Sequence, residues 1–476
     1  MRAIVSIARL EVLLALRDRR LVALTMALSA VVLASMLLGW RDATLTARDR
    51  AEAQALDDRI WDTQGDKNPH TAAHFGKLVL KPVGPYGHFD RGMDPYFGSI
   101  VYVEGHKQNF AAARPVEDFP DLLRLGDWSP AYLLQVALPL LIVLLGCHSV
   151  VRDRTQGTLA LMRTLGPSRV TLAAGKILGV LGAALAASLP ALVTMAILGV
   201  ASPGPTASSL APLFLMILAY ALYVVCFVAV SVAVSAWATN GTTALVALAG
   251  LWFFLVLLLP RASASVALAL HPTPAAGQFL ASVEADLARF TPESKYQIRL
   301  REVTQELLSK HGVTRVEDLP FNFSGVSLQV LDEVETLAYQ RAFDDLWSVY
   351  EAQSRFELGA GFLSPLPLLR HASMVLAGSS TAQHHAFATA VEAYRRAYVK
   401  FLNDEMRDHA GTLDFDYKVG QDFWERVPEF QYPGLSTDAT LRAAMGSLLA
   451  LFGWCIASLL LAGFALTRLG GAPTTA

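Results

Sequence analysis

Long apolar runs separated by polar segments dominate the chain. A helix needs about 20 apolar residues to cross a hydrocarbon core about 30 Å thick. Six runs reach this length and predict six transmembrane helices, over residues 21 to 40, 131 to 151, 176 to 200, 209 to 236, 242 to 260 and 444 to 467. The first run exceeds the roughly 7 to 15 residues of a signal peptide core, and no convincing cleavage site follows Trp40, so we interpret it as a retained anchor.

Two long polar segments interrupt the apolar pattern, at residues 41 to 130 and 261 to 443. The first is rich in turn signals and contains a short β-like run from Ser99 to Glu104, which predicts loop and strand. In the second, apolar residues recur at spacings of three and four, which predicts helices over Val283 to Lys310, Leu328 to Leu358 and Gln383 to Asp408. The predicted fold class is membrane all-α, with a mixed loop and strand insertion and a mainly helical second domain.

Lys and Arg residues close to the predicted spans give an orientation. They gather before the first span, between the second and third spans, and after the last, as Arg17, Arg152 and Arg468 illustrate, so these segments are expected to be cytoplasmic. The predicted domains are residues 1 to 40 (N-terminal cytoplasmic segment and first span), 41 to 130 (first external insertion), 131 to 260 (second to fifth spans), 261 to 443 (second external domain) and 444 to 476 (last span and tail).

Composition supports a lipid environment and excludes other classes. Hydrophobic residues make up 53% of the chain and charged residues only 17%, which is far from the balance of a soluble protein. A net charge of -2 leaves no basic surplus for phosphates, so nucleic acid is not an expected partner. Cys147, Cys226 and Cys455 all lie in apolar runs, so the polar segments must fold without disulfides.

The loop between the second and third spans is the most informative segment. Gly157 and Gly166-Pro167 delimit a predicted short helix from Thr158 to Leu165. A short basic helix fixed between two membrane helices is suited to docking into a groove of a soluble partner. Binding of lipid headgroups by a basic loop is the alternative that composition leaves open.

This loop resembles that of the type-2 ABC exporter permeases, in which an acidic residue precedes Gly-Thr-Leu, a Pro-Ser turn and a Gly-Lys pair. The matching residues are Asp153, Gly157-Thr158-Leu159, Pro167-Ser168-Arg169 and Gly175-Lys176. Three further fragments are similar to external signatures of the subgroup related to the copper-enzyme maturation protein NosY, at residues 68 to 76, 101 to 109 and 363 to 396.

The resemblance implies a multi-pass permease subunit of the bacterial inner (plasma) membrane, with both termini cytoplasmic, that exports an unknown substrate. A second permease, identical or homologous, and a cytoplasmic ABC ATPase are the implied partners. The residues implied to couple the permease to the ATPase are Asp153, Arg154, Gly157, Thr158, Leu159, Arg163, Pro167 and Arg169. The chain itself is not expected to be an enzyme or to hold a cofactor, because Gly175-Lys176 is followed by Ile177 and fails the P-loop pattern.

Two other functions fit the same pattern. An ABC-driven machine could act mechanically on a periplasmic protein or lipoprotein through its large external domain, and a stand-alone membrane receptor would have no ATPase partner. A metal site is not predicted, although histidine is the commonest protein metal ligand. His70 and His74 have a spacing of four, but Pro69 and the turn-rich context argue against a shared helix face. The other histidines of the polar segments are His88, His106, His271, His311, His371, His384, His385 and His409.

Overall fold

Six helical stretches in the computed structural model are long and apolar enough to cross a membrane. The structure describes residues 1–118, 128–164, 167–201, 210–288 and 293–468. Within these ranges the six stretches are Arg19–Asp62, Pro130–Thr155, Arg169–Ala201, Ala211–Trp237, Gly241–Leu270 and Thr437–Thr467. Each predicted apolar run lies within one of them, apart from Leu210, which precedes Ala211–Trp237, and residue 209, which lies outside the described ranges. The protein is therefore predominantly helical, and its apolar helices indicate a multi-pass membrane protein.

The first span continues far beyond the predicted anchor. Helix α1 (Arg2–Arg17) is followed by α2 (Arg19–Asp62), and the Asp18 carboxylate caps α2 by accepting a hydrogen bond from the Arg20 amide at 2.9 Å. The prediction of loop from residue 41 onward was wrong for this part. Residues 41 to 62 are rich in Ala and Arg, which are strong helix formers, and their polar character does not end the helix.

The rest of the first polar segment combines short helices with a two-stranded sheet. Its elements are α3 (Pro69–Phe75), β1 (Lys77–Leu80), α4 (Asp94–Phe97), β2 (Ile100–Val103) and α5 (Pro115–Asp118). The strands pair antiparallel, with Lys77 opposite Val103 and Leu80 opposite Ile100. The predicted strand from Ser99 to Glu104 is confirmed as β2, whereas its partner β1 was not predicted.

The central spans pack around one buried helix. The elements are α6 (Pro130–Gly146), α7 (Val151–Thr155), α8 (Thr158–Thr164), α9 (Arg169–Ala201), α10 (Ala211–Trp237), α11 (Gly241–Trp252), a π-helical turn (Phe253–Leu258) and α12 (Leu259–Leu270). Helix α10 buries residues on all sides, including Met216, Tyr220 and Val228, and contacts α6, α9 and the last span. A helix that is apolar all round is buried by its neighbours.

The second polar segment is helical, as predicted, but its described residues form more helices than the three predicted. Its elements are α13 (Ala276–Leu287), α14 (Lys295–His311), α15 (Phe323–Gly359), α16 (Pro365–Ala377), α17 (Thr381–His409) and α18 (Gln421–Trp424), followed by the last span α19 (Thr437–Thr467). Three single turns of 3-10 helix lie at Val316–Asp318, Ala360–Phe362 and Asp414–Asp416. Helices α15 and α17 confirm two predictions. The predicted helix from Val283 to Lys310 is instead two helices, and Ser294 caps the second by accepting a hydrogen bond from the Gln297 amide.

The two polar segments share an apolar core. The indole of Trp61, at the end of α2, lies 5.4 Å from the ring of Tyr398 on α17 and 5.6 Å from that of Trp424 on α18, between ring centroids. Both strands pack against the same group of residues through Val79 and Val101. Helix α16, which was not predicted, turns back to the spans and buries Leu366 and other residues against α10 and α19.

Candidate functional site

The loop after the second span forms two short helices joined at Gly157. Helix α7 ends at Thr155 and α8 begins at Thr158. Gly157 has a φ of +76°, which residues with a side chain rarely adopt. The Thr158 hydroxyl donates a hydrogen bond to the backbone oxygen of Asp153 at 3.2 Å. The predicted helix is therefore confirmed as far as Thr164, and Leu165 lies outside the described residues.

A buried ionic cluster fixes this loop to the spans. The Lys176 ammonium on α9 contacts the Glu11 carboxylate on α1 at 2.6 Å and also the Asp153 carboxylate on α7. Arg152 approaches the second oxygen of Glu11 at 3.5 Å. The side chains of Lys176, Glu11 and Asp153 are 1%, 5% and 6% exposed, so these charges are satisfied by one another. Asp153, a predicted coupling residue, thus faces inward and holds the loop.

Sequence analysis did not identify Glu11 as part of this site. Glu11 is the only acidic residue between Met1 and Arg17, in an otherwise apolar and basic helix. A lone carboxylate in such a setting needs a cation nearby when it is buried. The isolated carboxylate of Glu11 was therefore a signal in the sequence. It could have pointed to Lys176, a cation at the first residue of a predicted span.

Small residues on α9 allow α1 to approach it closely. A Cβ atom built on Gly175 would lie 2.6 Å from the Cβ atom of Ile7, a distance at which one of the two helices must move. Gly179 stands against Glu11 in the same way, one turn further along α9. This close approach lets the short Glu11 side chain reach Lys176.

Two of the predicted coupling arginines hold the ends of other spans. Arg154 donates to the backbone oxygen of Ala238 at 2.6 Å and to that of Ala236, where α10 ends. Arg169 donates to the backbone oxygen of Thr467 at 2.6 Å, where α19 ends. These carbonyls have no partner within their own helix, so arginine is well suited to them.

The remaining predicted residues differ in their accessibility. Leu159 is 7% exposed and anchors α8, whereas Leu161 on the same helix is 59% exposed. Pro167 is half-buried just before α9. Arg163 lies in α8, but its side chain is outside the described atoms. Leu161 is therefore an exposed apolar side chain on a short helix that is anchored through Leu159.

A chain of hydrogen bonds connects the spans to the polar segments. It lies at the ends of the spans that are remote from the loop around Gly157. Gln135 on α6 donates to the Tyr220 hydroxyl at 2.9 Å, and this hydroxyl is 3.1 Å from the Ser373 hydroxyl on α16. The Ser373 hydroxyl in turn donates to the Asp90 carboxylate. The chain therefore runs from a span, through α16, to the first polar segment.

A large cavity lies beside this chain. Its volume is about 1220 Å³, and residues of both the spans and the polar segments line it, among them Tyr132, Gln135, Arg261, Trp347, Tyr350 and Arg370. Burial raises the pKa of the Glu357 carboxyl at its wall, while the charge of Arg370 lowers it. The mixture of aromatic surface and a few charged groups is typical of a binding cavity.

Three histidines of the polar segments converge on one point. Potential ligand atoms of His70, His74 and His106 all lie within 4.8 Å of one another. The argument against a shared helix face for His70 and His74 was wrong. Pro69 occupies the first position of α3, where proline is tolerated because its missing amide hydrogen would have no helical partner, and Asn68 caps the helix.

Another buried cluster involves His384. Its Nε2 atom lies 2.7 Å from the Asp94 carboxylate, which also accepts from the Lys81 ammonium at 2.7 Å. Burial alone would raise the pKa of Asp94, but Lys81 and His384 lower it to about 2. Burial lowers the pKa of Lys81 and that of His384, while Asp94 opposes the shift in both. These groups satisfy one another and hold α4 against α17.

A family described as "Domain of unknown function (DUF3526)" matches residues 281–433, which include most of the second polar segment. No curated protein matches the chain at a significant level. The description of this family assigns no activity to the segment.

Proposed function

We propose that this chain is the permease subunit of an ABC-type export system, driven by a separate cytoplasmic ATPase that binds at α8. The observation that carries the proposal is the exposed Leu161 on a helix fixed through the buried cluster of Lys176, Glu11 and Asp153. A force on α8 can pass to α7 through the hydrogen bond of Thr158 to Asp153, and from α7 to α1 and α9 through the charged cluster. The resemblance of this loop to the coupling segment of type-2 exporter permeases supports the same function.

In this proposal the loop, α1 and the residues after α19 face the cytoplasm, and the two polar segments face the periplasm. The concentration of Lys and Arg near the first side supports the orientation. A second permease, identical or homologous, would complete the transporter, with two ATPase subunits below. Closure of the ATPases would shift α8 and, through Arg154 and Arg169, the ends of α10 and α19.

Substrate handling is assigned to the cavity of about 1220 Å³ between the spans and the polar segments. Movement of α6 or α10 would reach this cavity directly, because Gln135 on α6 lines it and bonds to Tyr220. The aromatic and charged wall suits an amphipathic molecule with an ionised group.

A mechanical function is the second candidate, and the hydrogen-bond chain through Ser373 favours it. This chain joins the spans to α16 and to Asp90, so movement of the spans can reach the polar segments without any transported molecule. The ATPase would then drive the external domain to act on a periplasmic protein or lipoprotein. Both candidates require the ATPase, whereas a membrane receptor does not.

Co-purification with the native ATPase tests the proposal. Leu161→Asp places a charge on the exposed surface of α8, and Leu413→Asp does the same at an equally exposed leucine of the second polar segment, since the two are 59% and 60% exposed. We expect the first variant to lose the ATPase and its ATP turnover and the second to retain both. Recovery of intact wild-type chain without any ATPase would refute the permease and the machine together and favour the receptor.

A second measurement separates transport from mechanical action. Tyr220→Phe removes the hydroxyl that links Gln135 to Ser373 and leaves α8 untouched. If the machine is correct, ATP should change the protease sensitivity of the polar segments in the wild type but not in this variant. If that change is equal in both proteins, the hydrogen-bond chain does not transmit the movement, and the transporter is favoured.

A further inference from the structure

Two separate elements bring His70, His74 and His106 together. His70 and His74 are four residues apart on α3, so both side chains lie on one face. Their Nε2 atoms are 3.2 Å apart. The ring of His106, from the turn after β2, lies 5.3 Å from the ring of His70 and 5.0 Å from that of His74, between centroids.

The turn that carries His106 is strained and firmly held. His106 has a φ of +69°, a left-handed conformation that is unfavourable for residues with a side chain. The amide of Gly105 donates to the backbone oxygen of Ala73 on α3 at 3.0 Å. The amide of His106 donates to the buried Asp332 carboxylate on α15 at 3.2 Å. A strained backbone that is held from two sides often marks a functional position.

A buried carboxylate lies behind His106. The Nδ1 atom of His106 is 2.7 Å from the Glu335 carboxylate on α15, and Glu335 is 5% exposed. When Nδ1 donates its proton to Glu335, the lone pair of Nε2 remains free on the other side of the ring. Metal-bound histidines usually donate their second nitrogen to a carboxylate or carbonyl in this way.

A similar arrangement supports His70. Within the described part of the chain, the Nδ1 atom of His70 and the Oδ1 atom of Asn403 are buried without a hydrogen-bond partner of ordinary geometry. The Asn403 side-chain amide lies close enough to the His70 ring to interact with it. A hydrogen bond from Nδ1 to Oδ1 would satisfy both atoms and leave the Nε2 lone pair directed at His74.

We propose that His70, His74 and His106 bind a divalent transition-metal ion, with Zn²⁺ as the preferred ion and one coordination position open. Imidazole nitrogens suit zinc, and three of them with an open fourth position form a known class of zinc site. Zinc–nitrogen bonds of about 2.0–2.1 Å in a tetrahedral site require nitrogen separations of about 3.3 Å. The 3.2 Å between His70 and His74 already meets this distance. The ligand atoms of all three residues lie within 4.8 Å of one another, so His106 would have to move closer by at most about 1.5 Å.

The donor set at this point consists of imidazole nitrogens. All three cysteines lie in the spans, so thiolates are not available at this site.

The proposed ion would join the two polar segments. Its ligands come from the first segment, while Glu335 and Asn403 come from the second, inside the region matched by the DUF3526 family. The pair of His70 and His74 does not complete the helical zinc-protease motif. Thr71 follows His70 at the position where the helical zinc-protease motif has its general base glutamate.

The test uses the full chain purified in detergent with an affinity tag that contains no histidine. The protein is stripped with a chelator, dialysed against Zn²⁺ and then against metal-free buffer, and its zinc content is measured by mass spectrometry. We expect about one ion per chain in the wild type, loss of this ion in His74→Ala, and full retention in His311→Ala. His74 and His311 are both exposed, so neither substitution should unfold the protein.

A second variant and a spectroscopic measurement complete the test. Glu335→Gln weakens the support of His106 and should raise the dissociation constant for zinc about 10-fold to 100-fold. X-ray absorption of the zinc-loaded wild type should give three histidine ligands at about 2.0–2.1 Å. Equal zinc retention in wild type and His74→Ala, or no retention in either folded protein, would overturn the proposal. None of these outcomes depends on whether an ATPase binds at α8.

Discussion

The loop around Gly157 and the turn around His106 are both short segments fixed by buried ionisable side chains. The two regions differ in how those side chains are paired. In the loop, Lys176 and Arg152 face Glu11 and Asp153, so every buried charge has a counter-charge. At the turn, potential ligand atoms of three histidines lie within 4.8 Å of one another, and the carboxylate beside them, Glu335, contacts His106 alone of the three in the described part of the chain.

The difference suggests different functions for the two regions. A cluster whose charges are all paired has no remaining capacity for a ligand and serves as a joint. A cluster of imidazole nitrogens without paired charges retains that capacity. The backbone agrees, because the same left-handed conformation is occupied by glycine in the loop and by histidine in the turn. Histidine there costs about 1–2 kcal/mol relative to a relaxed backbone.

Removal of the cation from the loop cluster should have the largest effect. Lys176→Met leaves Glu11 and Asp153 buried with only the more distant Arg152, and we expect the protein to lose about 3–5 kcal/mol of stability. Thermal unfolding in detergent measures this loss. The matched control is the triple variant Glu11→Gln, Asp153→Asn, Lys176→Met, which carries none of the three charges and should recover most of the stability. If the single variant is as stable as the wild type, the cluster is not a joint.

Acid should destabilise the polar segments through their buried neutral histidines. His88 is 4% exposed, and burial lowers its pKa from 6.5 to about 4. The unfolded chain takes up a proton as the pH falls below about 6.5, and the folded chain does so only near pH 4, so stability is lost as the pH falls through this window. At about 1.36 kcal/mol per pH unit the loss is at most about 3 kcal/mol.

The variant His88→Gln isolates this contribution. Its stability should fall less steeply than that of the wild type between pH 6.5 and 4, whereas the two should respond alike above pH 7. Unfolding midpoints at a series of pH values provide the measurement. An identical slope for both proteins would show that His88 is not buried in its neutral form.

Substitutions that strain the backbone at Gly157 should have a smaller effect on stability. Gly157→Val forces a β-branched residue into a φ of +76° and should cost about 1–2 kcal/mol, although no atom lies within 4 Å of the added Cβ. Gly157→Asn should cost less, because asparagine tolerates this conformation. Equal unfolding temperatures for both variants would show that the turn between α7 and α8 relaxes freely.

Removal of an exposed ion pair should have the smallest effect on stability. Arg299 on α14 contacts Glu302 at 3.0 Å, but these side chains are 51% and 59% exposed. Arg299→Ala should change stability by less than about 0.5 kcal/mol, because water and salt screen the pair. A loss as large as that of Lys176→Met would mean that burial is not what distinguishes the two sites.

The sequence predicted the spans because twenty consecutive apolar residues leave no other arrangement in a lipid environment. It also predicted α15 and α17 from their apolar spacing, and the short helix α8 from its glycines. It did not predict the extension of α2 or the strand β1. Residues 41 to 62 have no apolar stripe as regular as that of a span, and a strand of four residues is too short to show a period.

By itself, the sequence determined which segments are apolar enough for a membrane and which are helical. It also singled out the loop between the second and third spans as suited to docking on a partner. These properties are local, and each follows from residues close together in the chain. Only the tertiary structure brought Glu11 to Lys176, 165 positions apart, and Glu335 to His106, 229 positions apart. Pairings across such distances depend on how helices pack, which no local pattern of residues encodes.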